Sequence, residues 1–155
     1  QLIEKSGEFV INLVNEELAR SADYCGVKSG RNEDKFAKCN LSKMPADHVK
    51  APLIKESPVN LECKVLEIKE YQTHDMFIAE IVAVHADEEL FDDDGRIRLD
   101  LAGMVAFNHG EYFGIKRKPI GRFGFSVMKK STKKRINREA KEKRQKRNEA
   151  RKRKA

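Results

Sequence analysis

Three stretches of this chain combine side chains able to do chemistry. The first runs from Cys25-Gly-Val-Lys-Ser29-Gly30 to Asp34-Lys35-Phe36, where glycines permit close approach to the backbone and a lysine can donate to an anionic group. The second is His74-Asp75, and the third is His109-Gly-Glu-Tyr-Phe113, two aromatics beside a glycine and a histidine. Each also has the composition of an ordinary surface loop. Hydrolytic and metal constellations are missing: His48, His74, His85 and His109 are scattered, and the sequence holds no HExxH, GxSxG or Walker loop. Cys25, Cys39 and Cys63 form no CxxC pair and read as reduced thiols of a cytoplasmic protein, Cys25 packing as a small apolar residue on a helix face. Gly121 to Gly124 lacks the spacing of a dinucleotide fingerprint. The expectation is therefore no catalytic side chain and no metal ligand, with any cofactor held in another way.

The elements that must position these residues are partly visible. Glu8-Phe-Val-Ile-Asn12-Leu-Val14 predicts a strand, and Asn15 with Glu16 and Glu17 predicts a capped helix stopped by Gly26, with Leu18, Ala22 and Cys25 on one face. Residues 27–58 are loop-rich, with room for a short helical turn in Lys28–Phe36, and a connection of that length is a candidate site. After Pro58, Val59, Leu61, Cys63 and Val65 alternate with Asn60, Glu62 and Lys64, the period of a strand with one buried face. The parity slips beyond Val65, where Leu66 and Ile68 become the apolar set, which predicts a one-residue bulge. Gln72–Asp75 turns the chain, and Met76–Val84 returns antiparallel. Asp92-Asp-Asp-Gly95 reads as a solvated turn rather than a calcium loop. Arg98–Phe107 is expected to be a short helix, and Tyr112, Phe113, Ile115, Ile120, Phe123, Phe125 and Val127 are expected to be buried.

Charge divides the 155 residues in two. Of 32 Lys+Arg and 25 Asp+Glu, 15 basic and 3 acidic residues lie in Lys129–Ala155, so this tail is +12 and residues 1–128 are −5. The expected organisation is one domain over 1–128 followed by a basic, disordered tail over 129–155, at most transiently helical from its Glu, Lys, Arg and Ala content, that buries too little apolar surface to order itself. No apolar run approaches the roughly 20 residues of a membrane span, and the first residues are too charged for a signal peptide.

At several of these residues the chain resembles a known family. Phe-Val-Ile-Asn-Leu at 9–13, Asp-Tyr-Cys-Gly at 23–26, Ser-Gly and Asp-Lys-Phe within 29–36, Pro-Val-Asn-Leu-Glu-Cys at 58–63, His-Asp-Met-Phe at 74–77, Ala-Val-His-Ala-Asp at 83–87, His-Gly-Glu-Tyr-Phe at 109–113 and Ile-Gly-Arg-Phe-Gly-Phe-Ser-Val at 120–127 resemble, in this order, the flavoredoxin branch of the flavin reductase family. The resemblance implies a mainly β fold with short helices (α+β), an FMN-binding split β-barrel working as a homodimer. It further implies non-covalent FMN carrying electrons, commonly from NADH or NADPH, to an acceptor. It places Lys35, His74 and Phe113 around the flavin, with Asn12, Ser29 and Gly30 as weaker matches. Lys35 would stabilise negative charge on the ring or contact phosphate, His74 would hydrogen-bond flavin or nicotinamide, and Phe113 would stack on the ring. The family also carries N-terminal strands ahead of the residues matching Gln1, including part of its phosphate site. These are expected to be missing from the present residues, which would leave an open sheet edge.

Two other readings stay open. The basic tail predicts salt-sensitive attraction to nucleic acid or the ribosome, although it lacks aromatics to stack on bases. A flavin-binding module without reductase activity fits the same residues.

Overall fold

The computed structural model describes residues 1–116, 118–121 and 123–154. They form two compact units, residues 1–117 and 118–155. The first is the expected mix of antiparallel strands and short helices. A three-stranded sheet has the order β1-β4-β5, with β1 at Glu8–Asn12, β4 at Val59–Glu70 and β5 at Asp75–Ala86. Two small antiparallel pairs accompany it: β2 (Lys43–Met44) with β3 (Leu53–Ile54), and β6 (Val105–Asn108) with β7 (Glu111–Gly114).

The expected long hairpin is β4–β5, closed by a turn across Tyr71–His74 in which the Tyr71 N–H donates to the His74 carbonyl at 3.1 Å. The bulge expected beyond Val65 is present. Val65 faces Ala79 and Glu67 faces Ile78, so Leu66 is the extra residue on β4. A second shift falls between Glu62 and Cys63, where Val82 is the extra residue on β5.

Cross-strand partners point to the same side of a sheet, so register assigns the faces. Phe9, Leu61, Cys63 and Ile81 share one face, while Glu8, Asn12, Asn60, Glu62 and His85 share the other. The first face carries the apolar cluster of Val59, Leu90 and Ala102, joined by Leu13, Leu61, Ala86 and Met104. The second face corrects the expectation of one buried side. Asn60 and Glu62 are as buried as Val59 and Cys63, because the loop-rich segment lies over them. That segment is pinned by its own backbone: the Asp47 and His48 N–H groups donate to Glu62, Lys50 N–H to Glu8, and Ile54 N–H to Asn12. Three polar side chains on the sheet thus replace the ladder that the prolines at 45 and 52 interrupt.

Other expectations change as well. The first helix, α1, is Leu2–Ser6; α2 begins at Ala19, not directly after Asn15, whose Oδ1 instead accepts from Leu18 N–H at 2.9 Å and closes the preceding turn. Gly26 lies inside α2, which runs to Val27. A short α3 spans Lys35–Lys38. The helix expected over 98–107 is one 3-10 turn, Leu99–Leu101, followed by β6, since Gly103 at φ 65 redirects the chain into the hairpin. Asp92–Gly95 is a turn, with Asp92 Oδ1 accepting from the Asp94 and Arg96 N–H groups. The aromatic and apolar residues from Tyr112 to Val127 are largely exposed rather than buried.

In the second unit, residues 129–155 were expected to lack stable structure, yet Lys130–Lys154 forms the helix α4. Its Lys, Arg, Glu and Ala residues are good helix formers, and Arg135–Glu139 and Arg138–Glu142 pair at i,i+4 spacing, each at 3.7 Å. No helix among the described residues is long and apolar enough to cross a membrane.

Candidate functional site

Residues 24–39 fold into a closed loop between two helices. Asp34 caps α3, its Oδ1 accepting from Phe36 N–H at 3.0 Å and Ala37 N–H at 3.3 Å, which fixes Lys35 at the first helical position. From there Lys35 reaches back to α2, and its Nζ donates to the Cys25 carbonyl at 2.6 Å. Tyr24 donates its hydroxyl to the Glu33 carboxylate, a contact that raises the phenol above its ordinary range. Cys25 Sγ and Cys39 Sγ lie 3.9 Å apart. Three contacts therefore hold the neck of a loop whose outer part, Lys28-Ser29-Gly30-Arg31, is exposed.

Of the six residues expected around a flavin, the structure brings Ser29, Gly30 and Lys35 onto this loop. A side chain at Gly30 would reach Lys35 Cε at 3.7 Å, so the glycine stands directly beside the lysine stem. Ser29 Oγ accepts from Arg31 N–H at 3.3 Å. Asn12 has a different task, since its Oδ1 holds Ile54 N–H at 3.0 Å and so anchors β3 to the sheet. His74 stands exposed at the hairpin turn, with Nδ1 at 2.8 Å from Thr73 Oγ1. Phe113 lies on β7 and is 48% exposed. Its neighbour Tyr112 ties β7 to α2 through Asp23 at 3.3 Å and packs on Phe107 with ring centroids 4.9 Å apart. Adjacent strand residues face opposite ways, so Phe113 points away from that contact. No hydrogen bond among the described residues joins His74 or Phe113 to Lys35.

A second polar cluster was not anticipated. Glu62, fully buried, accepts from Asp47 N–H at 2.8 Å, His48 N–H at 2.6 Å and His85 Nε2 at 2.6 Å. Burial raises its carboxyl, but the two backbone donors and His85 outweigh that, and the group is held down at about 2. Asp47, Glu62 and His85 offer atoms within 4.8 Å of one another, a spacing that a cation could bridge. With three hydrogens already delivered to Glu62, the cluster acts as a clip between loop and sheet. Spacing along the sequence could not reveal it, because its members lie far apart in the chain and meet only when residues 45–57 cover the sheet.

The chemistry of the loop around Lys35 suits an anionic ligand. It offers a cation, a hydroxyl and an open glycine backbone to phosphate or another electron-rich group. Comparison with known proteins identifies the family of the chain. The flavin reductase like domain matches residues 1–116. Flavoredoxin of Desulfovibrio vulgaris (Miyazaki F) superposes with a TM-score of 0.73 at 35% identity, covering 80% of this chain and 67% of that one. A split barrel domain protein from Shewanella frigidimarina superposes with a TM-score of 0.67 at 25% identity, covering 77% and 61%. An uncharacterized protein of Pyrococcus abyssi is 35% identical over 92 residues, 59% of this chain and 52% of its own length. The chain spans about half the length of the curated relatives it matches. Matched over most of its length, and sharing the architecture of the split-barrel flavin proteins, the chain belongs to the flavin reductase like domain family.

Proposed function

We propose that this chain is the FMN-binding part of a flavin reductase- or flavoredoxin-type oxidoreductase, taking electrons from NADH or NADPH and passing them to an acceptor. The observation that carries this reading is the loop of Ser29, Gly30 and Lys35, held at its neck and open at its tip, in a chain whose family match covers it. Lys35, Ser29 and Gly30 would hold the anionic part of FMN, and Phe113 would cover the ring. Bound FMN would supply the electron transfer itself. The protein's own contribution is charge and shelter. Lys35 places a fixed positive charge, its stem is shielded by the loop, and one N–H is already committed to Cys25 O, which sets its direction. His74, on the hairpin turn, would donate to or accept from the ligand. Ile81 and Val84, apolar yet exposed on the edge strand β5, support assembly as a homodimer.

Titration of the purified chain with FMN tests the reading, followed by anaerobic addition of NADH or NADPH. The expected result is a bound flavin spectrum that bleaches with one of the two nucleotides. Failure to take up FMN would overturn the assignment, and bleaching with dithionite alone would mark an electron carrier fed by another protein.

A second reading concerns the second unit only. Helix α4 carries Lys and Arg along its whole length, which favours phosphate backbones without base recognition. Retention on nucleic acid should fall steeply with salt and vanish when residues 129–155 are removed, while flavin binding persists.

A further inference from the structure

The two cysteines at the neck of the Lys35 loop have no part in the function proposed above. Cys25 sits near the end of α2 and Cys39 follows α3, and their sulfurs are 3.9 Å apart. A disulfide needs about 2.05 Å, so the thiols must approach by roughly 1.9 Å, a movement that side-chain rotation and a small shift of the short α3 can supply. Both are partly exposed and open to a reagent, whereas Cys63 is buried on β4. Lys35 links them to the candidate site: it donates to the carbonyl of Cys25 and stands four residues before Cys39.

We propose that Cys25 and Cys39 are a redox-active dithiol that closes to an internal disulfide by exchange with a small disulfide such as oxidised glutathione, and that closure fixes the loop carrying Lys35. In the first step the thiolate of one cysteine attacks a sulfur of glutathione disulfide, forming a mixed disulfide and releasing one glutathione thiolate. The second cysteine then attacks the protein sulfur of that bond and releases the other. The protein loses two electrons and two protons, and glutathione disulfide becomes two thiols. Burial and the contact with Cys39 raise the Cys25 thiol, with Lys35 opposing them, so exchange quickens as pH rises. The disulfide itself is independent of the flavin reading; its effect on the ligand rests on that reading.

The test uses the full chain, reduced, desalted and equilibrated with excess oxidised glutathione, with thiols counted after denaturation and cross-linked peptides mapped. Wild type and Cys63→Ser should each lose two thiols to a Cys25–Cys39 bond and two hydrogens in mass. Cys25→Ser and Cys39→Ser should stop at a glutathione adduct. Three thiols retained by the wild type, an adduct that never resolves, or a bond through Cys63 would overturn the proposal. FMN affinity is then compared between the reduced and oxidised forms. A several-fold shift in wild type that the Cys25→Ser/Cys39→Ser double variant lacks supports the coupling to Lys35, and equal affinities overturn it. A disulfide that forms in a chain binding no FMN in either state leaves the dithiol standing and removes both the coupling and the proposed flavin function.

Discussion

Glu62 and Lys35 are both charged side chains that capture backbone groups, and they differ in how completely they are used. Glu62 is fully buried and accepts three hydrogens, two from the loop that covers it and one from His85. Lys35 is half-buried and, among the described residues, makes one hydrogen bond, to Cys25 O, although an ammonium has three N–H groups to give. A saturated buried charge holds architecture together. A charge with donors to spare, on an open loop, is suited to a ligand.

The contrast breaks first at Glu62. Glu62→Ala strips the partners from two backbone N–H groups and His85, and should cost about 3–5 kcal/mol, read as a lower denaturation midpoint. A loss under about 1 kcal/mol would mean that the clip is dispensable. Acid probes the same group without mutation. Its folded value, about 2, lies below the ordinary 4.5, so its contribution is fully present above about 4.5 and disappears as pH falls towards 2. Glu62→Gln should flatten the stability profile in that window. Asn12→Ala, which frees only the Ile54 N–H, should cost about 1–2 kcal/mol. At Lys35 the weight moves from stability to binding: Lys35→Met should change stability by less than about 1 kcal/mol, yet weaken FMN binding on the order of tenfold. A variant that unfolds easily would make Lys35 a second clip. Smallest is His74→Ala, within about 0.5 kcal/mol in stability, its effect confined to flavin or nicotinamide binding.

Those two residues also show what could be read from sequence. The β4–β5 hairpin and its bulge after Val65 were legible because alternation is local, and a parity slip is visible within a few residues. That Ser29, Gly30 and Lys35 share one loop was legible because the three are close in the chain, while a role toward flavin came only from the resemblance. Glu62 was not, since its place in the polar set predicted a solvated side chain, and only the return of residues 45–57 across the sheet buries it. Cys25 and Cys39 were separate thiols for the same reason: α2 and α3 must both form before the sulfurs meet. The basic tail misled in another way. Its lack of apolar residues argued against order, whereas its Lys, Arg, Glu and Ala content and i,i+4 pairing favour the helix α4.

The two extra residues of the hairpin act like a frameshift and its suppressor. Leu66 adds one position to β4 and Val82 adds one to β5, so pairing is displaced by a residue only between them, and Glu70 meets Asp75 in the same frame in which Val59 meets Ala86. Losing either residue alone puts the two halves of the ribbon out of phase, turning the tip that carries His74 relative to a base clamped by Glu62. Losing both restores a regular ladder, and with it a straighter arm. The position of His74 is therefore encoded in two residues that do no chemistry and sit on opposite strands.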